Sequence, residues 1–166
     1  MKKLILIFSI LLTTSVLFAQ NPIKEKQLQF NVGFGLSSWG LPIYLGLDYG
    51  INKDITIGGE FSFRSYNEDW KEYDYHHTVT GLSANGNYHF NSLLEIPSKW
   101  DFYAGLNLGF FIWNSDNQYK GNHSSGLEFG LQIGVRYYFT DKIGINLEFG
   151  GGSAFSAGKI GISIKL

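Results

Sequence analysis

The sequence predicts an all-β fold: an eight-stranded antiparallel transmembrane β-barrel, wound as an up-and-down meander. Three observations predict it. Segments of two-residue alternation recur along the chain. The connections between them are short at one end and longer at the other. The apolar face of the segments is also too bulky to fill the inside of a barrel this small.

The alternation is clearest in "LEFGLQIGVRYYF" at 127–139, where Leu, Phe, Leu, Ile, Val, Tyr and Phe occupy every odd position. Eight such segments run roughly over 27–37, 43–51, 55–64, 78–90, 100–113, 125–139, 143–150 and 159–166. In the first, Leu28, Phe30, Val32, Phe34 and Leu36 oppose Gln29, Asn31, Gly33 and Gly35. In the fifth, Phe102, Ala104, Leu106, Leu108, Phe110 and Ile112 oppose Tyr103, Gly105, Asn107 and Gly109. The last sets Ile160, Ile162, Ile164 and Leu166 against Gly161, Ser163 and Lys165. No charged residue falls on an apolar face.

The short connections are Asn52-Lys53-Asp54 and Thr140-Asp141-Lys142, with 91–99 of middling length. The longer polar ones are 65–77, 114–124 and 151–158. Short turns on one rim and longer loops on the other are the pattern of outer-membrane barrels. An even strand count puts both ends of the chain on the short-turn rim. A weak internal echo, "YGINKDITIGGEF" from Tyr49 against "YYFTDKIGINLEF" from Tyr137, reads as two hairpins under one geometric constraint.

An eight-stranded barrel holds only side chains or one small ligand. The Leu, Ile, Phe and Tyr of the apolar faces exceed that volume, and a glycine-rich exterior is a poor soluble surface. With the bulky face outward, small and polar residues fill the lumen. Every backbone polar group is then paired around the ring, as hydrocarbon requires. Tyr49, Tyr88, Phe90, Trp100, Phe102, Tyr137 and Phe139 cluster beside the short turns. Phe61, Phe63, Phe110 and Phe129 lie toward the loops, so two aromatic girdles are expected.

Composition agrees with one domain of this kind. The chain has 166 residues, 21 of them Gly, with 17 % aromatic and only 16 % charged residues, against an ordinary charged share of about 25 %. A formal net charge of −1 gives no reason to expect a nucleic-acid partner. No cysteine is present, so neither disulfides nor thiolate metal sites arise. Nothing in the sequence calls for a cofactor. Residues 1–19 have a basic start at Lys2 and Lys3, an apolar core, and a cleavage position at Ala19. They read as a secretory signal peptide, leaving 20–166 as the barrel domain.

With these patterns in view, the sequence resembles the small eight-stranded outer-membrane barrels of the OmpA/OmpX-type superfamily. The resemblance covers the mature chain and rests on the signal peptide, the alternating strands, and phrases such as "YHFNSLLEIPSKWDFYAGLNLGF" and "YYFTDKIGINLEFG". Such barrels commonly end in Phe or Trp, whereas this chain ends in Leu166. The resemblance implies a monomer in the outer membrane of a Gram-negative cell. Its partners would be membrane lipids and any ligand met outside the cell. Its task would be structural or adhesive, with a narrow pore as the alternative.

Charges on the inner faces set the candidate site. Asp48, Glu60, Glu128 and Glu148 stand against Arg64, Arg136, Lys159 and Lys165. A charge in a narrow lumen is costly unless paired, so a neutral ion-pair network is expected. Arg136 to Glu148 or Glu60, and Arg64 to Glu128, are the expected links. The hairpin echo puts Asp48 level with Arg136, and Glu60 level with Glu148.

Loop 65–77 is the candidate extracellular binding element. It carries Tyr66, Trp70, Tyr73, Tyr75, His76 and His77, and exposed aromatics suit contact with a partner surface or a sugar. Asp74 with the two histidines suggests a metal site, but adjacent residues in a strand point to opposite sides, so no metal is expected. His123 and Ser125 share the outward parity of the sixth segment. Some outer-membrane lipid A deacylases are similar in using a His-x-Ser pair with a carboxylate on the next strand. Here the outward neighbours Phe149, Gly151, Ser153 and Phe155 supply none, so no catalytic residue and no enzyme activity are expected.

Overall fold

The computed structural model describes residues 22–37, 40–70, 73–115, 125–151 and 157–166. The signal-peptide expectation at 1–19 lies outside the described residues. Eight strands form a closed barrel in sequence order: β1 (Leu28–Leu36), β2 (Ile43–Gly50), β3 (Ile55–Trp70), β4 (Tyr73–His89), β5 (Trp100–Ser115), β6 (Gly126–Tyr138), β7 (Ile143–Gly151) and β8 (Gly158–Lys165). Every neighbouring pair is antiparallel, and β1 closes the ring against β8 from Gln29↔Lys165 to Leu36↔Gly158. One helical turn, α1 (Asn91–Leu94), sits in the connection from β4 to β5.

The two faces of the ribbon separate as the alternation requires. On β2 the outward positions Ile43, Leu45, Leu47 and Tyr49 are exposed, while Tyr44, Gly46, Asp48 and Gly50 are buried. On β6 Leu127, Phe129, Leu131 and Ile133 are exposed, and Gln132, Arg136 and Tyr138 are buried. Leu131 is 60 % exposed and Gln132 only 4 %. In water this arrangement would discard the hydrophobic term that drives folding. In hydrocarbon it is the stable one.

Aromatic side chains ring the short-turn rim in contact with one another. Tyr88 meets Phe90 at 5.2 Å, Trp100 meets Phe102 at 6.0 Å, and Trp100 meets Tyr137 at 4.7 Å between ring centroids. On the other side Phe61, Phe63, Phe110 and Phe129 are exposed along the outer wall.

Three strands outrun the bilayer. A membrane-crossing strand needs about 9–11 residues, whereas β3, β4 and β5 have 16, 17 and 16. The excess in β3 and β4 is about 20 Å of ribbon at about 3.3 Å per residue. Their pairing runs unbroken from Ile55↔Tyr88 to Trp70↔Tyr73. The stretch 65–77, read from sequence as a loop, therefore carries two paired strand arms, 65–70 and 73–77. Its outward residues Ser65, Asn67 and His76 are polar where those below are Phe61 and Phe63.

Candidate functional site

The lumen is filled by side chains in layers. At the short-turn end, Arg136 donates from Nη2 to Asp48 Oδ2 at 2.8 Å and from Nη1 to Asp101 Oδ2 at 3.1 Å. His89 Nδ1 lies 2.6 Å from Asp101 Oδ1, and Thr56 Oγ1 lies 3.0 Å from His89 Nε2. Asn31 Nδ2 donates to Asp48 at 2.9 Å, and Ser163 donates to Asn31 at 2.7 Å. Tyr138 donates its hydroxyl to Gln29, and Lys165 Nζ stands 4.1 Å over the Tyr138 ring. Thr56, His89 and Asp101 are wholly buried.

Midway along the lumen a second cation is shared by two acids. Lys159 Nζ reaches Glu60 at 2.8 Å and Glu148 Oε1 at 3.0 Å. Glu148 also accepts from the Tyr103 hydroxyl at 2.9 Å, and Tyr44 donates to Asn146 at 3.0 Å. Amides bridge the layers: Asn107 donates to Gln132, which donates to Asn87. About 20 Å³ of free space remains among these groups, room for a water molecule or two.

Above the ions the lumen turns apolar. Val79 and Phe111 are buried there, with Tyr66 and Trp113 packed on them. Small neighbours make this possible: the Phe111 ring lies where Gly81 and Gly109 would carry side chains. Arg64 caps the layer, 5.4 Å from the Trp113 ring centroid and donating to Ser37 at 3.0 Å.

The charged residues read from the sequence are thus brought together in other pairs. Arg136 meets Asp48, not Glu148 or Glu60. Tyr103 is the reason. Its ring lies 4.2 Å from the Arg136 guanidinium while its hydroxyl holds Glu148, so it stands between the two. Arg64 donates to Ser37 and lies over the Trp113 ring, while Phe111 packs on Gly109, the residue paired with Glu128. Sequence reasoning misses Asp101 and His89. Both sit on inward parity at the strand ends, continuing the Tyr103 and Asn87 series, and that continuation is the available signal.

The outer hairpin splits its candidates between two faces. Tyr66 and His77 point inward and stack at 5.0 Å, with His77 Nδ1 2.7 Å from Ser115 Oγ. Tyr75 is buried on the same face. His76 points outward, Nδ1 2.8 Å from Asn67 Oδ1 and Nε2 3.1 Å from Ser65 Oγ. No cluster of metal-ligating residues occurs among the described residues. Trp70 and Tyr73 pair as strand residues, and their side chains, like that of Asp74, lie outside the description. His123 lies outside the described residues too. Ser125 Oγ accepts from the Trp113 backbone N–H at 3.0 Å, which ties it to β5.

No known protein family and no curated protein matches the sequence. Solved structures do match. The outer membrane protein OprG of Pseudomonas aeruginosa superposes with a TM-score of 0.64 at 8 % identity, over 87 % of this chain and 97 % of that one. The fold is that of the small eight-stranded outer-membrane β-barrels. Neisserial surface protein A is similar at a TM-score of 0.55 and 16 % identity, over 84 % of this chain and 95 % of its own. Ail of Yersinia pestis, in a phospholipid bilayer nanodisc, is similar at 0.54 and 13 %, over 86 % of this chain and all of that one. At these identities the likeness concerns the fold.

Proposed function

We propose that this protein is a monomeric, non-enzymatic barrel of the outer membrane whose lumen does not conduct. Its task is to present the β3–β4 hairpin to surfaces outside the cell. One observation carries the reading: Lys159 is bound by both Glu60 and Glu148 beneath the apolar layer of Phe111 and Val79. An ion crossing the lumen would have to break that triad and then pass a dry constriction. Dewetted apolar constrictions of this kind close channels. The ring is complete in one chain, so no second copy is needed to satisfy the strand edges.

The reach of the hairpin suits an adhesive role. Ail, one of the structural neighbours, is an attachment invasion locus protein, and a surface task of that kind agrees with a hairpin carrying about 20 Å of ribbon beyond the bilayer. Planar-bilayer recording tests the closed lumen: purified protein should give no steady openings, and sustained conductance would establish a pore instead. Adhesion is tested separately, with cells displaying the intact barrel or one whose 65–77 segment is replaced by a short turn. Equal attachment by the two would remove the adhesive reading.

A further inference from the structure

The connection from β4 to β5 does more than turn the chain. Leu94 N donates to Phe90 O at 2.9 Å, Ile96 N to Asn91 O at 3.0 Å, and Asn91 Nδ2 to Trp100 O at 2.6 Å. Glu95 takes the left-handed conformation, φ 53°, that ends α1. This fixed turn leaves Leu93 and Leu94 exposed at 65 % and 63 %, on a rim whose other turns are Asn52-Lys53-Asp54 and Thr140-Asp141-Lys142. Apolar side chains held on that rim need a covering.

Between the turn and the outer wall lies an open groove of about 700 Å³, with Phe90, Leu94 and Ile96 on one side and Val135, Leu147 and Phe149 on the other. That volume is within the usual range of small-molecule sites, about 300–1,000 Å³. We infer that the groove holds one acyl chain of a zwitterionic glycerophospholipid from the periplasmic leaflet. The inference rests on the outer-membrane reading above.

Three features select this occupant. The wall of the groove is continuous with the lipid-facing band, so what enters it comes from the bilayer. Its place fits one leaflet: it runs from the turn residues Phe90, Leu94 and Ile96 no further along β6 than Ile133, short of the Leu131 level, on the short-turn rim that faces the periplasm in such barrels. The rim beside the groove carries both charges, as a zwitterionic headgroup does. Lys99 and Lys142 precede β5 and β7, on either side of β6, and both are exposed, with Glu95 and Asp141 on the same rim. The ammonium groups match a phosphate, and the acids match a lipid amine.

Native mass spectrometry of detergent-solubilised full-length protein, titrated with palmitoyl-oleoyl phosphatidylethanolamine, tests this. One phospholipid should stay bound per barrel. Val135→Trp, which fills the groove, and Leu94→Gln, which changes only the exposed turn, should each weaken retention by about ten-fold or more, the scale set by losing a few methylene contacts. Leu45→Trp on β2, away from the groove, should leave it unchanged. Equal retention by all four proteins, or none by the wild type, overturns the inference. Preferential uptake of free palmitate over the phospholipid overturns the headgroup assignment and with it the proposal. A failure of the outer-membrane reading looks different: the protein would then not insert into phospholipid vesicles at all.

Discussion

Tyr103 and Gly134 face each other across the β5–β6 ladder, and the phenol ring occupies the space that a side chain at 134 would need. The ring separates Arg136, which it touches, from Glu148, which its hydroxyl holds. This one contact therefore sorts the lumen charges into a lower and an upper cluster. Gly134→Val should displace the ring and cost about 1–3 kcal/mol, the usual penalty of overpacking, read as a lower urea midpoint in micelles. Tyr103→Phe keeps the ring and removes one hydrogen bond, so it should cost about 1 kcal/mol. A larger loss for Tyr103→Phe than for Gly134→Val would show that the ring is not the separator.

Arg136 holds two buried carboxylates, Asp48 and Asp101. Arg136→Met should destabilise by about 3–5 kcal/mol, because the acids are left uncompensated. Adding Asp48→Asn and Asp101→Asn to that variant should recover most of the loss. Chemical unfolding of the wild type and these variants gives the coupling directly, and additive losses would mean that the groups act independently.

Leu131 marks the middle of the outer face. Leu131→Lys should cost about 2–4 kcal/mol when the barrel refolds into phospholipid vesicles. Asn67→Lys, on the outward face of the extended hairpin, should change stability by no more than about 0.5 kcal/mol. A comparable loss at both positions would place the bilayer edge elsewhere.

His76 and His77 lie on opposite faces of β4 and are engaged by different neighbours. Saturating zinc should leave the unfolding midpoint where it is, since a ligand stabilises only when it binds the folded state better. A midpoint that climbs with zinc concentration would reveal a site that the hairpin geometry does not suggest.

The architecture was legible because period-two alternation reports the face of every residue, and face decides what each one meets. Strand count, closure, and the inversion of Leu131 against Gln132 follow from it. The pairing inside the lumen was not legible, for two physical reasons. Alternation tells which residues point inward but not which strands' residues stand at one level, so the direct pairing of Arg136 with Asp101, and the Tyr103 ring between Arg136 and Glu148, went unread. It also gives no depth-independent reason to single out inward residues at strand ends, so Asp101 and His89, inside the fifth and fourth segments, are absent from the charge inventory. The extension of β3 and β4 past 64 and 78 was hidden by composition: a strand above the bilayer has no apolar face to announce it.

The seam between β1 and β8 has a consequence for biogenesis. Leu28, near the start of the barrel, accepts its hydrogen bond from Leu166 at the far end of the sequence. Closing a ring through partners so distant in sequence is slow. Until it happens, both terminal strands present unsatisfied edges on which other chains could add. In a chain of this design both exposed edges disappear together, at the moment the two ends meet.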